Sequence, residues 1–210
     1  MAIRAGVTMF LAALTCCSTQ AQSMLLKKGQ SGPMIDVAYV STSADEYSDG
    51  TSGGEMHAGY ACRILDFGLS TGYSSESKRP WQSDVQTNYT AGQFFDLYPI
   101  RLGSERTEFM IGLHEAYVGG FYDDVDPTLS GGGTLSLVAR SVSNAGLALS
   151  IGYRGVKPSQ RWGTKRNFAT ADAHVFWSQR GLGPVGLFFE YGYADGPDFA
   201  TLGLTLSVVK

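Results

Sequence analysis

At 210 residues, with 17% charged residues and a formal net charge of -3, the chain is one domain in length and lacks the basic excess that nucleic acid attracts. Its mean hydropathy is -0.06, and no run after the N-terminus approaches the ~20 apolar residues of a spanning helix, which excludes a helical membrane protein. An apolar content of 43% excludes a disordered chain.

The chain opens with Arg4, an apolar core over 5–14 and the small-residue pattern Thr19-Gln20-Ala21. This reads as an export signal over 1–21, cleaved before Gln22. An alternative is lipoprotein processing at Leu14-Thr15-Cys16-Cys17, with lipid on Cys17. Cleavage leaves Cys62 alone, so no internal disulfide and no cysteine metal site is expected. Residues 22–33 read as a periplasmic N-terminal segment ahead of a domain over 34–210.

From residue 34 onward the pattern has period two. Leu147, Leu149, Ile151 and Tyr153 alternate with Ala148, Ser150, Gly152 and Arg154. Likewise Leu202, Leu204, Leu206 and Val208 alternate with Gly203, Thr205, Ser207 and Val209. Successive strand side chains point to opposite faces, so each segment has one apolar face and one small or polar face. Ten such segments are predicted: 34–42, 55–63, 65–74, 87–98, 107–118, 133–142, 145–154, 167–178, 184–194 and 199–209. Long polar loops (43–54, 75–86, 119–132 and 155–166) alternate with tight links at 63–65, 103–106, 143–144 and 180–183, and a short loop at 194–198 ends the series. Pro99 fits only at the turn end of its strand, because it has no N–H to donate.

The expected fold is therefore all-β: a closed antiparallel up-and-down transmembrane barrel of ten strands, with eight as the alternative. Tyr39, Tyr73, Tyr89, Tyr117, Tyr153 and Tyr193, with Phe168 and Phe199, lie near the loop-side strand ends. They are expected to form an aromatic girdle, with Phe67, Phe95 and Trp177 on the turn side. A soluble barrel with its apolar faces inward is the structural rival. The small opposite faces (Gly, Ala, Ser and Thr) favour apolar-out.

The segment 202–210 resembles the closing strand of bacterial outer-membrane proteins, with Lys210 where that family carries a terminal aromatic. The architecture over 34–209 resembles the small outer-membrane barrels of the OmpA/OmpX type. That resemblance implies a place in the outer membrane, insertion by the barrel-assembly machinery, and lipid and lipopolysaccharide as neighbours. It implies no cofactor.

With apolar faces outward, the lumen gathers Asp36, His57, Arg63, Asp66, His114, Arg140, Arg154, Asp172, His174 and Glu190. Opposite charges there are expected to pair and plug the barrel. The alternative is a narrow channel for small solutes. Asp172 and His174, with Ser150 or Ser178, also suggest a lipid A-modifying hydrolase, although no nucleophile-elbow pattern surrounds them. The three histidines lack metal-ligand spacing. Glu115 shares a face with Ile111, Leu113 and Tyr117 and so points to lipid, unless a bulge turns it inward. The loops carry a basic cluster (Lys157, Arg161, Trp162, Lys165 and Arg166) suited to lipopolysaccharide phosphates. A smaller basic patch holds Lys78, Arg79 and Trp81, and acidic loops hold Asp45, Glu46 and Asp49, and Asp123, Asp124 and Asp126.

Overall fold

The computed structural model describes residues 22–43, 50–76, 87–120, 127–158, 166–179, 182–194 and 198–208. The signal segment with Cys16 and Cys17, Arg161, Trp162, Lys165 and the other charged loop patches lie outside the described residues. Ten strands form one closed antiparallel barrel. They are β1 (Ser31–Thr42), β2 (Thr51–Cys62), β3 (Leu65–Glu76), β4 (Thr87–Gly103), β5 (Thr107–Gly120), β6 (Thr128–Arg140), β7 (Ala145–Pro158), β8 (Arg166–Gln179), β9 (Leu182–Ala194) and β10 (Phe199–Ser207). The eight-strand alternative is thereby excluded. Each strand pairs with its sequence neighbours, and β1 pairs with β10 over Met34–Ser207 to Thr42–Phe199, so no sheet edge is left.

The alternation falls as the sequence predicts. On β1, Met34, Asp36, Ala38 and Val40 are buried while Ile35, Val37 and Tyr39 are exposed. The girdle tyrosines Tyr39, Tyr73, Tyr89, Tyr117, Tyr153 and Tyr193 are all outward, between 46% and 64% exposed. The apolar face is therefore the outer one, which overturns the soluble, inside-out barrel. Two aromatics depart from the expected girdle: Phe168 and Phe199 are 0% and 1% exposed and point inward. Their positions follow the parity of Thr170 and Thr201, not that of the tyrosines. Phe67 and Trp177 are outward near the turn end, while Phe95 sits higher because β4 continues to Gly103.

The registers climb around the barrel. Partners taken in turn from Ala61 near the turn end of β2 run through Asp66, Asp96, His114, Gly132, Arg154 and Phe168 to Ala194, the last residue of β9. Such a stagger tilts strands by about 35–45° from the barrel axis. Residues at one depth are therefore offset by roughly one residue per strand from their registered partners.

Pro99 lies within β4, not at its end. The β4–β5 register slips between Leu97–Leu113 and Ile100–Ile111, so two residues of β4 oppose one of β5. This bulge absorbs the missing N–H, and the amide of Tyr98 turns to donate to the Ile64 carbonyl at 2.8 Å. It also inverts parity: Asp96 and Tyr98 point inward above it, whereas Ile100 and Leu102 point outward below it. The tight link at 141–144 uses Asn144 with φ of 64°, a left-handed conformation that asparagine tolerates.

Five inward aromatics each lie directly opposite a glycine on the next strand. Phe94 faces Gly68, Phe176 faces Gly146, Phe188 faces Gly203 and Phe199 faces Gly192. Tyr98 covers Gly112 across the bulge. A Cβ at Gly203 would meet the Phe188 ring at 2.6 Å and the Val37 carbonyl oxygen at 2.7 Å. The glycines therefore give up side-chain volume so that rings can fill the lumen. Gly203→Ala is expected to lower unfolding stability by about 1–3 kcal/mol, as overpacking does. Gly119→Ala, where nothing lies within 4 Å of the new Cβ, is expected to be silent. Urea unfolding in lipid vesicles checks the pair, and equal effects would contradict this packing.

Candidate functional site

The lumen carries the chemistry-bearing residues, in two tiers. At the turn end, one carboxylate gathers three guanidinium groups. Glu108 on β5 is 3% exposed. Its Oε1 accepts from Arg63 Nη2 at 2.5 Å, and its Oε2 accepts from Arg101 Nη2 and Arg140 Nη1, each at 2.8 Å. One carboxylate cannot satisfy so many donors. The N-terminal segment supplies further acceptors. Arg140 Nη2 donates to the carbonyls of Met24, Leu25 and Leu26 at 3.2, 3.3 and 3.4 Å. Arg101 Nη2 reaches the Leu26 carbonyl at 3.3 Å, and its Nη1 donates to the Arg63 carbonyl.

Residues 22–33 thus do more than precede the barrel. Gln22–Leu25 makes a single 3₁₀ turn, and Met24, Leu25 and Leu26 are buried in the lumen. Met24 and Leu25 pack with Tyr98, Met110, Val138, Ala148 and Phe176. Leu26 packs with Met34, Ala61, Phe94 and Ala116. A turn at Gly29, with φ of 84°, then leads the chain out and into β1, and Lys27 Nζ donates to Asn144 Oδ1 at 2.6 Å.

Above this tier the lumen turns acidic. Asp96 Oδ1 meets His114 Nδ1 at 2.8 Å, and His114 Nε2 meets Thr134 Oγ1 at 2.8 Å. Asp172 Oδ1 meets His174 Nε2 at 3.1 Å. Arg154 Nη1 lies 3.0 Å from Glu190 Oε1. Glu55 and His57 are 3.9 Å apart, an ion-pair distance that is too long for a hydrogen bond. Asp36 is registered opposite His57, and Asp66 opposite Asp96. At the loop end Phe168, Phe199, Val156 and Ala194 form an apolar cluster, with the Arg154 guanidinium 5.8 Å from the Phe199 ring centroid. Between the tiers, Met24, Tyr98, Ser150, Arg154 and Glu190 help line a cavity of ≈ 20 Å³, room for about one water.

Every lumen residue expected from the sequence faces inward, but the expected partnerships change. Arg63 and Arg140 serve Glu108 rather than the acids expected for them, while Glu190 takes its expected arginine, Arg154. The sequence reading missed Glu55, Asp96, Arg101 and Glu108. Two of these share the parity of recognised lumen residues, Glu55 with His57 and Glu108 with His114, whereas β4 had no recognised lumen residue to mark Asp96. Arg101 was hidden by the parity change at Pro99. Glu115 is outward, and no bulge turns it in. The two described members of the basic cluster separate: Lys157 is exposed four residues above Tyr153, while Arg166 shares the inward parity of Phe168.

The arrangement around Ser150 is not that of a serine hydrolase. Ser150 is registered opposite Asp172, and its hydroxyl lies 3.6 Å from Met24 Sδ. His174 meets the carboxylate through Nε2, and its Nδ1 has no hydrogen-bond partner among the described residues, so no serine hydroxyl rests on the imidazole. Among the described residues, no group of three or more His, Cys, Asp or Glu is placed to hold a metal ion.

No family model and no curated protein matches the chain. Among solved structures, the β domain of the Bordetella autotransporter BrkA is similar, with a TM-score of 0.51 at 11% identity over 85% of this chain and 98% of that one. The Neisserial surface protein NspA has a TM-score of 0.37 at 13% identity over 86% and 99% of the two chains. Ail of Yersinia pestis has a TM-score of 0.31 at 11% identity over 88% and 100%. At these identities the likeness concerns fold, and the BrkA match carries it. A closed ten-stranded antiparallel barrel with an apolar, tyrosine-girdled exterior and a polar interior, similar to the BrkA β domain, gives this chain the fold of a bacterial outer-membrane β-barrel.

Proposed function

We propose that this barrel works from its surface and not through its lumen, as a structural or surface-interaction protein with a charge-plugged interior. The observation that carries this reading is the N-terminal segment inside the turn end, where the carbonyls of Met24, Leu25 and Leu26 are held by Arg140 and Arg101. The cavity above it holds about one water, and the loop end is filled by Phe168 and Phe199. Function then falls to the loops and the lipid-facing rim. Lipopolysaccharide is the natural partner for Lys157, whose position beyond the Tyr153 girdle suits phosphate contact, with Arg161 and Lys165 following in the same loop. Insertion by the barrel-assembly machinery belongs to the same proposal.

A narrow cation channel is the second reading. It is favoured by the carboxylates above the arginine tier, Asp36, Glu55, Asp66, Asp96, Asp172 and Glu190, which outnumber the inward arginines there, Arg154 and Arg166. The geometry around Ser150 gives the hydrolase reading no activated nucleophile.

Three outcomes test the proposal. Full-length protein in planar bilayers is expected to show no steady conductance, and cation-selective steps would favour the channel. Glu108→Gln leaves Arg63, Arg101 and Arg140 without their shared counter-charge, so a loss of about 3–5 kcal/mol in urea unfolding is expected. An unchanged midpoint would mean that this cluster does not secure the plug. Lys157→Glu is expected to lower the melting temperature in vesicles containing lipopolysaccharide and to leave it unchanged in phosphatidylcholine. Equal melting of the variant and the wild type in both would remove the lipopolysaccharide contact at Lys157.

A further inference from the structure

The apolar band is interrupted on one side of the barrel. Gln93 on β4 and Glu115 on β5 are both exposed on the outer face, and among the described residues neither has a hydrogen-bond or ion-pair partner. Glu115 is flanked along its strand by outward Leu113 and Tyr117, and across the sheet by Phe95 and Gly131, none of which offers it a charged or amide partner. A charged side chain on the lipid face of a barrel is destabilising, increasingly so toward the midplane. Unpartnered polar groups in a membrane are satisfied by association.

The two side chains are nearly level. Gln93 is registered with Tyr117, and the registers climb from β4 to β5. Glu115, two residues below Tyr117, therefore lies at about the depth of Gln93. One group is an amide that donates, the other a carboxylate that accepts. Both line one outward groove of ≈ 800 Å³, whose lining includes Gly59 and Gly68. Neighbouring Ala91 and Gly131 keep this face low, which lets two backbones approach.

A two-fold axis along the membrane normal keeps every residue at its own depth. It brings Gln93 of one copy against Glu115 of a second copy, and the reverse, closing both contacts at once. Lipid meets the same requirement less directly: a phosphate accepts from the amide but repels the carboxylate unless a divalent cation bridges them, whereas a second copy needs no cation. We propose that the β4–β5 face is the contact of a membrane homodimer held by reciprocal Gln93–Glu115 hydrogen bonds.

Sedimentation equilibrium of the full-length protein in density-matched detergent tests this, with folding verified by the mobility shift between boiled and unboiled samples. The wild type is expected to dimerise, and Gln93→Leu and Glu115→Leu each to weaken association at least tenfold. Glu115→Gln, which still accepts from an amide, is expected to retain most of it. A second measurement uses the Cys62→Ser background. Gln93→Cys chains mixed with Glu115→Cys chains in vesicles are expected to give a disulfide-linked dimer more readily than either population alone. A wild type that stays monomeric in detergent and vesicles overturns the proposal, as does a dimer indifferent to both leucine variants. Monomeric protein in which Glu115→Leu abolishes only Mg²⁺-dependent lipopolysaccharide binding overturns it in favour of a lipid contact.

Discussion

A strand in hydrocarbon has no water for its peptide groups, so the closed hydrogen-bond ladder is the constraint on which everything else in this molecule depends. Pairing of β1 with β10 removes the last edge. Closure then fixes the meaning of the period-two pattern, because one face must meet lipid and the other must fill a lumen of set width. The stagger that closes the barrel also determines which residues lie level. That is why Phe168, Phe199 and Ala194 meet at the loop end although β8, β9 and β10 reach them from different registers.

The interior solves two problems with different residues. Space is filled by rings set against glycines, which gives five of the chain's 27 glycines a packing role. Charge is handled by segregation. Three arginines gather on Glu108 at the turn end, while carboxylates and histidines occupy the zone above. Buried charges are stable only when paired and hydrogen-bonded. The turn-end tier adds backbone carbonyls of the N-terminal segment to the acceptors that Glu108 provides.

Most of this was legible in the sequence wherever alternation runs unbroken. Strand number, the tight and long connections, the girdle tyrosines and the inward set from Asp36 to Glu190 all follow from parity. Glu55 and Glu108 were equally legible by that rule, being even-spaced from His57 and His114, and Asp96 by the alternation of β4 alone. Arg101 was not, because the bulge beside Pro99 inverts parity within one strand. Proline marked the place without revealing which side chains would turn inward. The outward-looking parity of tyrosine also misled for Phe168 and Phe199, since an aromatic at a strand end suits a girdle or a lumen equally and only its register decides. Nor does any period mark Met24, Leu25 and Leu26 as lumen residues. They enter the barrel through their carbonyls, which every residue possesses.

This last point joins the two tiers to the role of the chain. A plug secured by side-chain pairing alone would leave its signature in composition. Here the arginines grip peptide groups, so the segment needs only small bulk and apolar character to fit beneath Tyr98 and Phe176. The three guanidiniums exceed what Glu108 can accept, and the carbonyls of 24–26 are peptide groups that burial would otherwise leave without donors. Each deficit answers the other. The arginine tier and the N-terminal segment are therefore one unit, joined by the same hydrogen-bonding requirement that closes the barrel wall.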